Sequence, residues 1–137
     1  MHEVTLKGGY LELGISKETR ETDIRNALVD WYEKHALERL TDTTERYAKL
    51  MSVTPNSIVS KHYKARWGSC SSKGDISYNW RVIIAPPRIV DYVVVHELCH
   101  LQHPNHSPAY WGSVKRELPN YQEYRHWLKL HGPTLFI

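Results

Sequence analysis

The chain has 137 residues, of which 41% are apolar and 24% charged. These shares are ordinary for a soluble globular protein and favour neither disorder nor a membrane span. This length is typical of one domain with one hydrophobic core, so we predict a single domain over residues 1–137. The net charge of +3 is spread along the sequence, which gives only weak support for contact with nucleic acid.

The N-terminal residues contain neither a long apolar run nor a small-residue cleavage site. The sequence therefore predicts a cytoplasmic protein without a membrane segment. Cys70 and Cys99 are too few for a disulfide framework and are expected to remain thiols. The nine histidines are more unusual, because four of them fall between positions 96 and 106. Such clustering needs a local explanation.

The first half of the chain predicts a hairpin and a long helix. Residues 1–16 alternate apolar and polar side chains around Gly8-Gly9, which is typical of a hairpin with a glycine turn. Over residues 20–52 the apolar period becomes helical and forms one broad stripe. The members of this stripe are Ile24, Leu28, Trp31, Leu37, Leu40, Tyr47 and Met51.

Two strands are predicted over residues 58–84. The first extends from Ile58 to Trp67, and the second, from Ile76 to Ile84, alternates strictly between buried and exposed types. A segment rich in glycine and serine joins them, so we predict an antiparallel pair. Pro86 ends the second strand because proline has no amide hydrogen to donate.

Three helices are predicted over residues 88–131. The first extends from about Arg88 to Leu101 and carries the histidine cluster. The second has Ser107 as its N-cap and Pro108 at its first helical position. The third is predicted to begin with a capping box formed by Asn120 and Glu123 and to end at Gly132. The elements together predict an α+β fold with a small antiparallel sheet against the histidine-bearing helix.

His96 and His100 lie four residues apart in this first helix, so their Cβ atoms are about 5–6 Å apart on one face. Two imidazoles in this arrangement can bind one Zn²⁺, at about 2.0–2.1 Å from each ring nitrogen. Glu97 flanks the metal position and is predicted to act as the general base toward a zinc-activated water. The pattern predicts a zinc cofactor and hydrolytic chemistry.

A catalytic zinc site usually has a third protein ligand. Pro104 turns the chain out of the helix, and His106 stands directly before the Ser107 N-cap, which would fix its position. We therefore predict His106 as the third ligand. Three alternatives rank below it: His103, Glu117 and Glu123. For the two glutamates, a hydrogen bond to a ligand histidine is the more economical role.

Other residues near the cluster have ordinary structural explanations. Cys99 is expected to be a small buried thiol under the site. Tyr110 and Trp111 have helical spacing with later apolar residues and are expected in the core. His126 and His131 are expected at the surface or at a helix end.

Three segments together resemble the YgjP-like metallopeptidase family, which is related to the SprT and WLM zinc peptidases. They are Arg66-Trp67-Gly68-Ser69-Cys70-Ser71, Tyr92 through His100, and Asn105-His106-Ser107 with Tyr110-Trp111. The resemblance covers about residues 20–131. It implies a zincin-like domain with one zinc on His96, His100 and His106, and with Glu97 as the catalytic glutamate.

The sequence therefore predicts a zinc metallopeptidase that acts on peptide or protein substrates. An extended substrate is expected to lie along the strand from Ile76 to Ile84 by β-augmentation. Arg66, Tyr78 and Arg125 are candidates to stabilise the oxyanion, without a spacing argument for any of them. The alternative is a zinc-binding interaction module with little turnover, associated with nucleic acid. Hydrolysis of a non-peptide substrate is a weaker third hypothesis.

Overall fold

The computed structural model describes residues 4–7, 10–13 and 21–135, and it confirms the α+β fold. The strands are β1 Val4–Lys7, β2 Tyr10–Leu13, β3 Ser57–Lys61, β4 Gly68–Cys70 and β5 Asp75–Asn79. The helices are α1 Glu21–Met51, α2 Pro87–Cys99, α3 Pro108–Glu117 and α4 Tyr121–His131. Two 3-10 helices, Trp80–Ile84 and Gly132–Leu135, complete these elements.

The N-terminal hairpin and the long helix are both present. β1 and β2 pair antiparallel with Lys7 opposite Tyr10, while the predicted Gly8-Gly9 turn lies outside the described residues. The buried face of α1 is made of small and medium side chains, namely Ala36, Leu40, Thr44 and Ala48. Leu37, which the periodicity placed on the buried stripe, is 40% exposed. The helix is thus predicted correctly, but its core face is narrower than the stripe.

The second sheet is mixed, so the predicted antiparallel pairing of its two long strands is wrong. Its order is β3-β5-β4, with β3 parallel and β4 antiparallel to the central β5. The reason is the short strand β4, which lies within the segment predicted as a connection. The chain reverses into β4 after β3 and reverses again at Gly74, whose φ of 85° suits glycine. Two reversals leave β3 and β5 parallel.

Both predicted strands end early: β3 stops at Lys61 instead of Trp67, and β5 stops before Ile84. β5 stops at Asn79, whose side-chain oxygen accepts a hydrogen bond from the Arg81 amide at 3.1 Å and starts the 3-10 helix Trp80–Ile84. The side-chain amide of Asn79 donates from Nδ2 to the carbonyls of Tyr63 and Arg66 and so holds the preceding loop. Trp80 in this turn is fully buried. The alternation in the sequence therefore marks neither a continuing strand nor one buried face, because the polar residues Ser77, Asn79 and Arg81 are buried too.

The C-terminal helices begin as their signals indicate, with one exception. Ser107 accepts a hydrogen bond from the Tyr110 amide at 3.3 Å, and Pro108 is the first residue of α3. The predicted capping box of α4 is wrong, because the Asn120 side chain makes no cap hydrogen bond. Instead, the Glu123 amide donates to the Asn120 carbonyl at 3.0 Å.

The core joins α1, α2 and the mixed sheet. The Tyr78 hydroxyl lies 2.9 Å from the Thr44 hydroxyl, which donates to the Leu40 carbonyl at 2.6 Å, so one hydrogen-bond chain ties β5 to α1. Cys99 is a buried free thiol, as expected, and Cys70 is a partly buried one. Within the described part of the chain, the helices are all too short or too polar to span a bilayer.

Candidate metal centre

The three predicted histidines meet at the end of α2. His96, His100 and His106 each offer a ring nitrogen, and these nitrogens all lie within 4.8 Å of one another. The Nε2 atoms of His100 and His106 are 3.1 Å apart. Two nitrogens that share one tetrahedral zinc ion at about 2.0–2.1 Å are roughly 3.3 Å apart. The cluster therefore has the dimensions of a single-ion site.

The backbone positions the two later histidines. His100 is the C-cap residue of α2, and its Nδ1 lies 3.1 Å from the carbonyl oxygen of His103. Because a carbonyl only accepts, Nδ1 carries the proton and the lone pair of Nε2 is left for a metal. His106 stands just before the α3 N-cap. The side chain of His103 turns elsewhere, with its Nε2 3.1 Å from the Ser113 hydroxyl.

The electrostatics of the cluster fit a cation. Nδ1 of His96 is buried and has no hydrogen-bond partner among the described residues. Burial, with the neighbouring His100, His106 and Arg125, lowers the pKa of His96 to about 4, and burial also lowers the pKa of His106. Neutral imidazole is the form that binds metal. Three imidazole nitrogens that lie close to one another are a donor set that suits zinc.

Glu97 is buried beside this cluster and is only 5% exposed. Burial raises the pKa of its carboxyl group to about 7, and the nearby Arg66 opposes this shift. A base works best when its pKa is close to the working pH, so Glu97 is suited to accept and return a proton near neutrality. Two cavities meet at Glu97 and His96, with volumes of about 260 Å³ and 450 Å³.

Gly68 leaves the space that Glu97 occupies. A Cβ atom on Gly68 would lie 2.9 Å from Oε2 of Glu97 and 3.0 Å from the carbonyl oxygen of Ser77. The backbone carbonyl cannot retreat, so the carboxylate would have to move. This explains the glycine in the Arg66-Trp67-Gly68 segment.

If Glu97 is the base that the sequence predicts, Gly68→Ala should lower hydrolytic activity by about 100-fold while metal binding is retained, because a displacement near 1 Å costs about that much. The measurement is kcat together with metal content by elemental analysis. Gly112→Ala is the matched control, since a Cβ there meets nothing within 4 Å. Equal activity of the Gly68 and Gly112 variants would contradict the role of Gly68.

Two aromatic residues expected only in the core also hold the histidines. Tyr110 is fully buried, donates a hydrogen bond from its hydroxyl to the His96 carbonyl at 2.8 Å, and stacks on the His100 ring at 4.7 Å. Trp111 stacks on His106 with ring centroids 5.7 Å apart. Their position in the first helical turn after Ser107 is the sequence signal that could have placed them beside His106.

The remaining sequence candidates divide into two groups. Arg66 and Arg125 line the cleft beside Glu97. Tyr78 is fully buried and hydrogen-bonded to Thr44, so it does not reach the cleft. The hydrogen bonds of the described residues connect no site histidine to either Glu117 or Glu123, and Glu123 is exposed. The structure thus gives neither glutamate a part in the cluster.

Within the α+β fold, His96 and His100 at the end of α2 and His106 just before α3 form one candidate metal site. The sequence model described as YgjP-like, metallopeptidase domain, matches residues 1–131. The chain belongs to this family. This confirms the resemblance seen in the sequence.

A solved structure with the same fold is the crystal structure of the metallopeptidase zymogen of Pyrococcus abyssi abylysin. It is 23% identical to this chain, with a TM-score of 0.59, and the match covers 66% of this chain and 94% of that one. Comparison with curated proteins found no match.

Proposed function

We propose that this protein is a zinc-dependent peptidase in which Glu97 is the general base. The observation that carries the proposal is the placement of a buried glutamate at the same cleft as three converging histidines. His96, His100 and His106 would hold the metal. When bound, zinc would supply Lewis acidity that polarises the scissile carbonyl and makes water a stronger acid.

The carboxylate of Glu97 takes the proton from the attacking water and passes it to the leaving amine. Its burial removes bulk water that would compete for this proton, and its raised pKa lets it hold the proton between the two transfers. Arg66, on the loop before β4, keeps part of the carboxylate population charged at neutral pH. In this proposal Glu97 carries the proton from water to the leaving amine, and Arg66 adjusts the charge of Glu97.

An extended substrate cannot pair with β5, the strand that the sequence analysis chose for it. β5 is the central strand of the sheet, so both of its edges are already paired. β4 is an edge strand, and its residues line the 450 Å³ cavity together with His96, Glu97 and His106. We therefore place an extended peptide along Gly68–Cys70, where main-chain hydrogen bonds would hold it.

Metal removal tests the proposal. The zinc-loaded protein is expected to cleave an unfolded protein such as reduced casein, to lose all measurable activity with a chelator, and to recover it with zinc. Magnesium should not restore activity, because it prefers oxygen ligands in octahedral geometry. The measurement is fragment release by mass spectrometry alongside metal content. Bound zinc without cleavage of any unfolded protein would favour an interaction module instead.

A further inference from the structure

The smaller cavity beside Glu97 lies on the side of the cleft away from the β4 residues Ser69 and Cys70. Its volume is about 260 Å³. This is below the range of about 300–1,000 Å³ that is typical of sites for whole small molecules, and it suits one substrate side chain. Its walls are the apolar and aromatic side chains of Trp67, Tyr92, Val93 and Leu128.

Two arginines, Arg66 and Arg125, complete this cavity, and both are exposed. Among the described residues, no carboxylate lies within 4.0 Å of either guanidinium group. The ion pair found in this part of the chain joins Arg46 to Asp91, which do not line the cavity. Two arginines and one carboxylate, that of Glu97, line this pocket, so its lining carries an excess positive charge that a ligand carboxylate would balance. The pocket therefore has the electrostatics of a carboxylate site.

Aromatic rings hold both guanidinium groups. The Arg125 guanidinium lies over the Trp111 ring at 4.7 Å, and the Arg66 guanidinium lies over the Tyr63 ring at 5.9 Å. Such cation–π contacts orient a guanidinium without neutralising it. Its planar set of N–H donors then stays free for a carboxylate.

Arg125 differs from Arg66 in its position. Arg66 lines both cavities at Glu97, whereas Arg125 lines the smaller one and not the cavity beside β4. A charge at Arg125 therefore acts on the substrate group that enters the smaller cavity. Arg66 acts closer to the reacting atoms, consistent with its effect on Glu97.

We propose that the cavity lined by Arg125 binds a carboxylate of the substrate next to the scissile bond and makes Arg125 a specificity-determining residue. Its apolar walls would cover the methylene groups of a glutamate side chain while the guanidinium groups pair with the carboxylate. The same carboxylate chemistry is offered by an acidic side chain and by the C-terminus of a peptide. This inference rests on the proposed peptidase function.

The test uses quenched fluorescent peptides that differ at one residue beside the cleaved bond, with Glu, Gln or Lys there and an amidated C-terminus. A second series ends one residue after the bond with a free or amidated C-terminus. We expect the wild type to prefer Glu over Gln, or the free over the amidated end, by about tenfold in kcat/KM, because a charge-assisted hydrogen bond contributes this much. The preferred series identifies the source of the carboxylate.

Arg125→Gln should reduce this ratio to about one, and Arg125→Lys should restore part of it. Lys129→Gln is the matched control, because Lys129 lies one turn later on α4, carries the same charge and does not line the cavity. It should keep the wild-type ratio. Wild-type ratios near one in both peptide series, or a preference that survives in Arg125→Gln, would overturn the inference.

Peptide binding separates this inference from the proposed function. The zinc-loaded Glu97→Gln protein should bind the preferred peptide about tenfold more tightly than its amide counterpart by fluorescence anisotropy, and Arg125→Gln should remove the difference. If the wild type cleaves peptides without this preference, the pocket assignment fails and the peptidase stands. If binding shows the preference and no peptide is cleaved, the peptidase fails and the carboxylate pocket stands.

Discussion

Glu97→Gln is expected to keep its metal and to lose about a thousandfold in kcat, within the range that general-base catalysis contributes. Glutamine has nearly the same shape as glutamate but cannot accept the proton of the attacking water. The three histidines are unchanged by the substitution, so the metal content should equal that of the wild type. Cleavage of an unfolded protein and elemental analysis of the same sample measure the two quantities.

The folding of the Glu97→Gln variant provides its control. Burial raises the pKa of Glu97 from 4.5 to about 7, so in the metal-free protein its contribution to stability is lost as pH rises through 7. Glutamine is neutral at every pH, so its burial never places a charge in the protein interior. The variant should therefore unfold at the same denaturant concentration as the wild type or higher. Wild-type turnover in a correctly folded, metal-loaded Glu97→Gln protein would remove Glu97 from the mechanism.

His106→Ala is expected to weaken zinc binding by more than about 100-fold, since even an outer hydrogen-bond partner of a ligand costs 10–100-fold. The reason is the position of its Nε2, 3.1 Å from that of His100. Metal content after dialysis against a zinc buffer is the measurement. Activity should fall in parallel, because the two histidines that remain are too few to hold a catalytic zinc ion.

His103→Ala is the control that the chain itself offers. His103 is three residues away in sequence, but its ring contacts Ser113, and its contribution to the site is a backbone carbonyl that alanine retains. Zinc content should therefore stay normal. Normal zinc in His106→Ala together with loss in His103→Ala would reverse the assignment of the third ligand.

The sequence predicts the histidine cluster well because helical spacing and a turn fix it locally. The four-residue separation of His96 and His100 needs only a helix, and Pro104 with the Ser107 cap brings His106 back. The carboxylate pocket is different. Trp67 and Arg125 are far apart in sequence, and only the packing of α4 against α2 and the β4 loop brings them together. No local pattern carries that information.

The sheet could be predicted only in part for a related reason. β4 has three residues, Gly68, Ser69 and Cys70, none of which favours strands strongly, so its existence depends on pairing with β5. Missing this strand inverted the predicted direction of β3. Trp80 and Val82 misled in the opposite way, because they continue the alternation of apolar and polar residues although the strand ends at Asn79. The division into one domain stays a prediction.

The histidine cluster lies at the carboxyl end of α2, with His96 in the last turn and His100 as the C-cap residue. The aligned peptide dipoles of a helix place roughly half a negative charge at this end. That field attracts a divalent cation, and it also opposes ionisation of Glu97, in the same direction as burial. One helix terminus therefore strengthens metal binding and makes the neighbouring glutamate a stronger base.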